Sequence, residues 1–318
     1  MPYLTDKAPA PKTLRPGLTT TVPREYVHRT AVSEVLLTGW EHAPVGPDEH
    51  HGFLVRAQWP RCHALFAPGR GYQDPMLLIE SVRQAGSLLA HAEFDVPFGH
   101  QFLMSDISVD LEPELLAADP VPTDIQMHTA CRDVVRRGGL LREMRYDTTV
   151  LRENGARATA TAAFRCMSPD VYQRLRGRRP TTTDRTPPPA VDPATVGHNS
   201  TQHVVLGPRS PEHPHTWELR VDTTHPTYFD HPVDHIPGML LLEAARQAAH
   251  ASAGLPRAVL IGLKSTFTRY AELDAPCWIT AHCRPHSTSH DDLLIHVHGT
   301  QRHKTVFTAD LTVRPPAH

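Results

Sequence analysis

The chain has 318 residues, 40% of them hydrophobic and 21% charged, which is sufficient for two domains that each bury a core. Its formal net charge of −2 gives no excess of positive charge, which argues against a protein that binds nucleic acids or membrane surfaces. Five cysteines without C-x-x-C spacing argue against disulfides and zinc, and the lack of a signal peptide or an apolar run of about 18 residues predicts a cytoplasmic protein.

The predicted elements follow the same order in both halves of the chain. The first half reads as two strands, one helix and four strands, at 32–40, 52–59, 75–91, 102–111, 124–135, 140–151 and 157–166. The second half repeats this order at 203–206, 216–222, 238–250, 258–270, 277–284, 293–301 and 305–313. The order indicates a tandem duplication.

The two helices carry the clearest sign of that duplication. The pattern M-L-L-(I/L)-E-x-x-R-Q-A occurs at 76–85 and again at 239–248. Both helices are apolar almost all round, which is typical of a helix inside a protein. Each nevertheless holds a glutamate and an arginine three residues apart, Glu80 with Arg83 and Glu243 with Arg246. Buried charges are costly unless they are paired or used, so these pairs are the first candidates for chemistry.

A long apolar helix that follows the early strands of an antiparallel sheet indicates an α+β fold in which the sheet wraps around the helix. This is the hotdog fold, and the repeat predicts a tandem, or double, hotdog. We expect an N-terminal extension at 1–24, the first hotdog domain at 25–167, a Pro/Arg/Thr-rich linker at 168–201 and the second hotdog domain at 202–318. The linker composition favours an extended or mobile connection, with a basic docking surface for an acidic partner as the alternative.

Three sequence blocks in order carry a resemblance to a known family. They are the segments Tyr26-Val27-His28-Arg29 with Glu34-Val35-Leu36-Leu37-Thr38-Gly39-Trp40, Asp74-Pro75-Met76-Leu77-Leu78-Ile79-Glu80-Ser81-Val82-Arg83-Gln84, and Phe229-Asp230-His231-Pro232-Val233-Asp234-His235-Ile236-Pro237-Gly238-Met239. In these blocks the chain is similar to the AfsA-type A-factor biosynthesis hotdog family, the γ-butyrolactone autoregulator synthases, over roughly residues 25 to 315. The last block also resembles the H-F-P…P-G-V-L…E pattern of acyl carrier protein dehydratases, with two fewer residues between His and Pro-Gly.

The family resemblance implies an acyltransferase and condensing enzyme. Such an enzyme joins a β-ketoacyl group, carried as a thioester on an acyl carrier protein, to dihydroxyacetone phosphate. The ester closes to a phosphorylated butenolide, the precursor of a γ-butyrolactone or furan signal that controls secondary metabolism. The implied partners are the carrier protein and the triose phosphate, with no cofactor beyond the carrier's phosphopantetheine. A homodimer remains open.

The chemistry of acyl transfer suggests a role for several of these residues. Glu243, in an apolar helix, should have a raised pKa suited to a general base, and His231 could share or replace it. Backbone N–H groups of Gly238 and Met239 at the helix start could receive the negative charge of the thioester carbonyl. His235 lies in the same loop and is a further candidate for substrate binding.

An arginine suits the phosphate dianion, and we expect Arg246 first and Arg83 second in that role. Glu80 and Arg83 repeat the pair of the second helix and are weaker catalytic candidates, because Asp74-Pro75 replaces Pro237-Gly238 before that helix.

Other interpretations of the same residues remain open. Both Glu/Arg pairs could be structural ion pairs. The loop around His231 and His235 could gather metal ligands, but its prolines prevent a helical pair of imidazoles, and no metal is expected. A hotdog dehydratase or thioesterase could also use His231 and Glu243. A non-catalytic acyl-ligand sensor has the least support, since no DNA-recognition pattern accompanies it.

Overall fold

The computed structural model describes residues 18–44, 51–67, 69, 71–285 and 292–315. The first half of the chain contains Leu37–His42 (β1), Gly52–Trp59 (β2), Met76–Ala92 (α1), Gln101–Leu111 (β3), Thr123–Arg137 (β4), Leu140–Leu151 (β5) and Arg157–Met167 (β6). A short helix, Pro169–Arg176 (α2), follows. The second half contains Leu206–Arg209 (β7), Thr216–Leu219 (β8), Gly238–Ala253 (α3), Val259–Phe267 (β9), Cys277–Pro285 (β10), Leu293–Gln301 (β11) and Lys304–Arg314 (β12).

The strands form one antiparallel sheet in the order β1-β2-β4-β5-β6-β3-β9-β12-β11-β10-β8-β7. The second half of this order mirrors the first, strand for strand, as a tandem duplication requires. The two halves join where β3 pairs with β9, with Ser108 opposite Lys264. The Ser265 hydroxyl donates to the Ile107 carbonyl across this seam at 3.0 Å. The predicted double hotdog is thus confirmed, with the two sheets continuous.

Each helix packs against the strands of its own half of the sheet. Helix α1 contacts β1, β2, β5 and β6, and α3 contacts β7, β9, β10, β11 and β12. On α1, Gly86 permits a close approach: a Cβ there would lie 2.5 Å from the Tyr146 hydroxyl oxygen, which instead donates to the Val82 carbonyl at 2.8 Å. The apolar pattern of the helices correctly predicted their central position. No helix in the described ranges is long and apolar enough to cross a membrane.

The structure differs from the sequence prediction in the segment 168–201. Ser168 caps α2 through the Val171 N–H, and buried Arg176 pairs with Asp234 and Glu272 of the second half. Two 3-10 helices follow, Pro193–Val196 and Thr201–His203. Long-range ion pairs of this kind leave no mark in local composition, which is why the segment resembled an extended linker.

The second repeat therefore starts earlier than position 202. The Val191 N–H donates to the Leu206 carbonyl at 3.1 Å, and in the first half the Val22 N–H donates to the Leu37 carbonyl at 3.0 Å. The 3-10 helices at Arg24–Val27 and Val32–Glu34 correspond to those at Pro193–Val196 and Thr201–His203. Each repeat thus begins with a strap of irregular chain that crosses its central helix, and β1 starts only at Leu37.

Candidate active site

The first polar network surrounds Glu80 on α1. Its Oε1 accepts hydrogen bonds from Arg29 Nη2 at 2.6 Å, Arg83 Nη2 at 2.7 Å and Gln84 Nε2 at 2.8 Å. Its Oε2 accepts from Arg83 Nε at 2.8 Å. Burial alone would raise the pKa of Glu80, but the guanidinium groups of Arg29 and Arg83 hold it well below its usual range. One carboxylate thus meets two permanent cations.

The second network repeats this geometry around Glu243 on α3. Its Oε1 accepts from His198 Nε2 at 2.8 Å, Arg246 Nη2 at 2.9 Å and Gln247 Nε2 at 2.8 Å, and its Oε2 from Arg246 Nε at 2.9 Å. The difference lies on the far side of Arg246, where Nη1 donates to Asp74 Oδ2 at 3.1 Å. One guanidinium is here shared between two carboxylates.

The expectation of a raised pKa for Glu243 is wrong. Burial does act in that direction, but Arg246 and the hydrogen bond from His198 outweigh it and hold the pKa below the usual range. The Glu243 side chain is 0% exposed, and both of its oxygens are occupied. His231, the predicted companion of Glu243, instead has its Nδ1 3.3 Å from Asp230 Oδ2.

A cavity of about 240 Å³ lies between the two repeats. Its polar lining combines Arg29, Arg83 and His28 of the first half with His231, His235 and Arg269 of the second. Its apolar lining includes Phe102, Met104, Phe164, Leu241, Leu242 and Phe267. A cavity with one charged and one apolar part suits an amphipathic ligand.

Some of the predicted site residues line this cavity and others do not. Arg83, His231, His235, Gly238 and Met239 line it. The other three predicted residues, Glu80, Glu243 and Arg246, are buried behind the wall and do not line it.

The start of α3 opens into the cavity, whereas the start of α1 is closed. In α3 the first N–H groups to bond within the helix are those of Leu240 and Leu241, and both donate to the Pro237 carbonyl. The N–H groups of Gly238 and Met239 therefore have no partner within the helix. In α1 the Asp74 carboxylate accepts from the Met76 N–H at 2.8 Å. Only the second helix therefore offers free N–H donors to a ligand in this cavity.

Tyr228 is a cavity residue that the sequence analysis did not identify. Its ring is buried, and its hydroxyl has no hydrogen-bond partner among the described residues. Burial raises the pKa of this phenol well above its usual range, so it is a proton donor and not a base. The equivalent residue of the first repeat, Phe66, also lines the cavity. A comparison of His63-Ala64-Leu65-Phe66 with His225-Pro226-Thr227-Tyr228 could have shown the added hydroxyl.

Three other residues were missed as site residues: His28 of the cavity lining, Arg29 of the Glu80 network and His198 of the Glu243 network. The first two belong to the quoted segment Tyr26-Val27-His28-Arg29, but nothing local indicates that they reach α1. His198 lies in the segment interpreted as a linker. Across the part of the chain that the structure describes, no group of three or more His, Cys, Asp and Glu side chains is arranged to hold a metal ion.

Comparisons with known proteins agree with this architecture. The model of the A-factor biosynthesis hotdog domain matches residues 11–168 and 180–316. A Streptomyces virginiae protein named 2-oxo-3-(phosphooxy)propyl 3-oxoalkanoate synthase is 46% identical over 301 residues, 94% of this chain and 100% of its own length. A Streptomyces griseus protein of the same name is 39% identical over 296 residues, 92% of this chain and 95% of its own.

A solved structure described as a putative oleoyl thioesterase from Lactobacillus plantarum has a TM-score of 0.52 at 11% identity. It covers 86% of this chain and 99% of its own length, a likeness that concerns the fold alone. The family model and both relatives span nearly the whole chain. The chain belongs to the A-factor biosynthesis (AfsA) hotdog family.

Proposed function

We propose that this enzyme transfers a 3-oxoacyl group from an acyl carrier protein thioester to a hydroxyl of dihydroxyacetone phosphate. The product is the ester in the relatives' name, a 2-oxo-3-(phosphooxy)propyl 3-oxoalkanoate. The observation that carries the proposal is the cavity, in which unbalanced guanidinium charge, an open helix start and an apolar lining meet. Both substrates are cytoplasmic compounds, so we also place the enzyme in the cytoplasm.

Arg83 is the better candidate for the phosphate group, and Arg246 the weaker one. Arg83 lines the cavity with its side chain 22% exposed, and its Nη1 makes no hydrogen bond to any described residue. Arg246 is 10% exposed, and all its terminal nitrogens face Glu243, Asp74 or His198. A dianion binds where positive charge is in excess, and Arg29 and exposed Arg269 add to that excess beside Arg83.

The negative charge of Asp230 reduces this excess of positive charge but does not remove it. Its carboxylate accepts from the backbone N–H groups of Thr30 at 2.6 Å and Ala31 at 2.9 Å, which holds two loops of different repeats together. Its charge raises the pKa of Arg83 as a minor contribution after that of Glu80. His231 stands between this carboxylate and the cavity, where it can donate to the phosphate.

The thioester carbonyl needs donors that meet the negative charge of the tetrahedral intermediate. Gly238, Met239 and Tyr228 line the same cavity, and the two backbone N–H groups and the Tyr228 hydroxyl make no hydrogen bond to any described residue. We assign these three groups to the carbonyl oxygen. Glu80 and Glu243 then hold the arginines and glutamines of the networks in place and do not move protons.

The acyl chain extends along the apolar lining. Once the ester has formed, the acidic carbon between its two carbonyl groups can attack the ketone of the triose unit, and loss of water closes a phosphorylated butenolide. This second step belongs to the proposal and yields the precursor of a γ-butyrolactone or furan signal.

Helix α2 is the proposed docking surface for the acyl carrier protein. Tyr172 of α2 contacts Tyr270 and His235, both of which line the cavity. Its outer face carries exposed Arg174 and, beside it, Leu175 at 63% exposure. A basic face with an exposed apolar residue beside the cavity suits an acidic carrier helix. Arg174→Glu should raise the KM for the carrier-bound thioester about tenfold and leave that for a short thioester surrogate unchanged; an equal effect on both would contradict docking.

The test of the function is a mass-spectrometric assay with a 3-oxoacyl thioester, with and without dihydroxyacetone phosphate. We expect a phosphorylated ester or butenolide only when both substrates are present. Hydrolysis of the thioester, or water loss from a 3-hydroxyacyl thioester, without any phosphorylated product would identify a thioesterase or dehydratase instead. Binding without turnover would indicate an acyl-ligand sensor.

A further inference from the structure

His28 and His91 form a pair of imidazoles at the wall of the cavity. Their Nε2 atoms are 2.7 Å apart, and His91 Nδ1 lies 2.7 Å from the Val96 carbonyl oxygen. His28 belongs to the strap before β1 and lines the cavity, whereas His91 is buried in the last turn of α1. The pair connects the cavity with a backbone carbonyl.

The partners of His91 determine where the protons are. A carbonyl oxygen only accepts hydrogen bonds, so His91 Nδ1 must carry the proton. Burial lowers the pKa of His91, so its ring is neutral and its Nε2 has no proton. This Nε2 can therefore only accept, and His28 Nε2 must be the donor.

His28, which lines the cavity, is then left with one bare ring nitrogen. Burial, followed by electrostatic interactions with His91, Arg83 and His231, lowers the pKa of His28 to about 3, so its ring is also neutral. With the proton on Nε2, Nδ1 holds a lone pair, and this atom makes no hydrogen bond to any described residue. A phosphate dianion beside Arg83 would raise the pKa of His28 towards the range of an effective base.

The backbone of His28 also points to a role for its side chain. Its φ of 54° and ψ of 49° lie in the left-handed region, where residues other than glycine are uncommon. The equivalent residue of the second repeat is Gly197, with φ 83° and ψ 16°. The residue equivalent to His91 is Gly254. Neither histidine is therefore needed for the fold of a repeat, and both are present in the repeat whose arginine faces the cavity.

We propose that His28 is the proton acceptor of the acyl transfer and that His91 positions it; this inference rests on the proposed function. His28 Nδ1 takes the proton of the triose hydroxyl as that oxygen bonds to the thioester carbonyl carbon. When the C–S bond breaks, His28 returns the proton to the departing sulfur. Thioester and alcohol become ester and thiol, with no net change in protons or electrons.

His231 is the rival base in the same cavity. Its side chain is 42% exposed, and Asp230, its partner at 3.3 Å, already accepts two backbone hydrogen bonds. His28 is half-buried, and its Nε2 is engaged by His91 at 2.7 Å. We therefore assign phosphate binding to His231 and proton transfer to His28.

The kinetic test replaces His28 by the residue that the second repeat has. His28→Gly suits the left-handed backbone, so the protein should fold, while kcat falls about 100-fold or more with the triose KM little changed. Free imidazole should restore part of kcat. His303→Gly is the matched control, since His303 has φ 60° in the exposed turn between β11 and β12. Retention of activity by His28→Gly within about threefold, with loss in His231→Asn, would overturn the assignment.

The role of His91 is tested in the same series. His91→Asn should lower kcat about tenfold when His28 is present. In the His28→Gly background, with activity restored by free imidazole, the same change should cause no further loss of kcat. An equal loss in both backgrounds would mean that His91 acts only through the fold.

A nitrogen-resolved NMR spectrum of the histidines separates this inference from the proposed function. We expect His28 as the Nε2–H tautomer and His91 as the Nδ1–H tautomer at pH 7, whether or not the assay gives a phosphorylated ester. A wild-type protein that makes no ester refutes the proposed function. A spectrum that places the proton of His28 on Nδ1 refutes the assignment of His28 as the proton acceptor.

Discussion

The two central helices carry the same motif but contribute to different kinds of site. In each network a buried glutamate accepts from an arginine three residues on, from a glutamine four residues on, and from a third group on the strap, either Arg29 or His198. The first network has two guanidinium groups for one carboxylate. The second has two carboxylates for one guanidinium, and it is sealed from the cavity.

The difference comes from the residue before each helix. Asp74 precedes α1 and crosses to Arg246 of the other repeat, which completes the second network. The equivalent position before α3 is Pro237, which has no carboxylate that could pair with Arg83 in return. Arg83 lines the cavity, and its Nη1 has no hydrogen-bond partner among the described residues. A duplicated motif can thus be structural in one copy and available for binding in the other, depending on a residue from the opposite repeat.

The largest expected effect is the loss of stability when the sealed network loses its cation. Arg246→Met would leave Glu243 and Asp74 buried, with His198 and Gln247 as the remaining side-chain donors to Glu243. The free energy of unfolding should fall by about 3–5 kcal/mol in urea denaturation. Arg83→Met, the matched change, should cost less than about 2 kcal/mol, because Glu80 keeps Arg29 and Gln84. Equal losses would contradict the distinction between the networks.

The next effect is kinetic and concerns the open network. Arg83→Met should lower kcat/KM for dihydroxyacetone phosphate about 100-fold, while the KM for the acyl thioester changes less than about twofold. Arg83→Lys should recover only part of this loss, since an ammonium group lacks the planar fork. A parallel loss for both substrates would show that Arg83 shapes the cavity and does not bind phosphate.

A smaller effect is the dependence of stability on pH that comes from His250, which feels the charge of Arg246 in the sealed network. Burial, together with the charge of Arg246, lowers the pKa of His250 to about 4, whereas the unfolded chain protonates this group near 6.5. Between these values the unfolded state binds more protons, so stability is complete above about pH 6.5 and falls as the pH decreases towards 4. The loss should reach about 2–3 kcal/mol for this group.

The control for this pH effect is His250→Gln, which can still donate to the Val196 carbonyl without titrating. Unfolding free energies measured from pH 7 to 4.5 should fall less steeply for this variant than for the wild type. Parallel curves would show that His250 is protonated in the folded protein.

The smallest expected effect is that of a single hydroxyl. Tyr228→Phe makes the second repeat match Phe66 of the first and should lower kcat about tenfold, through loss of a donor to the thioester carbonyl. Stability should stay the same or rise slightly, because the hydroxyl is buried without a partner among the described residues. A clear loss of stability without a change in kcat would assign the hydroxyl to the fold.

Much of the fold could be predicted because its signals are local. The helices Met76–Ala92 and Gly238–Ala253 lie where the apolar motif placed them, and each Glu/Arg pair forms because residues three apart share a helix face. The strap segments were less predictable. The segment around His198 resembled a linker, since its hydrogen bond to Glu243 spans 45 residues of sequence.

The sequence by itself determined the duplication, the double hotdog and the family, since these depend on repeated local patterns that any copy of the motif must keep. Only the tertiary structure decided which repeat opens to the cavity. That outcome depends on the bond from Asp74 to Arg246, which spans 172 residues, and on the seam of β3 with β9 that brings Arg83 and the start of α3 to one cavity. Local patterns specify which residues a helix presents, whereas the balance of charge around them is set by groups that only folding brings together.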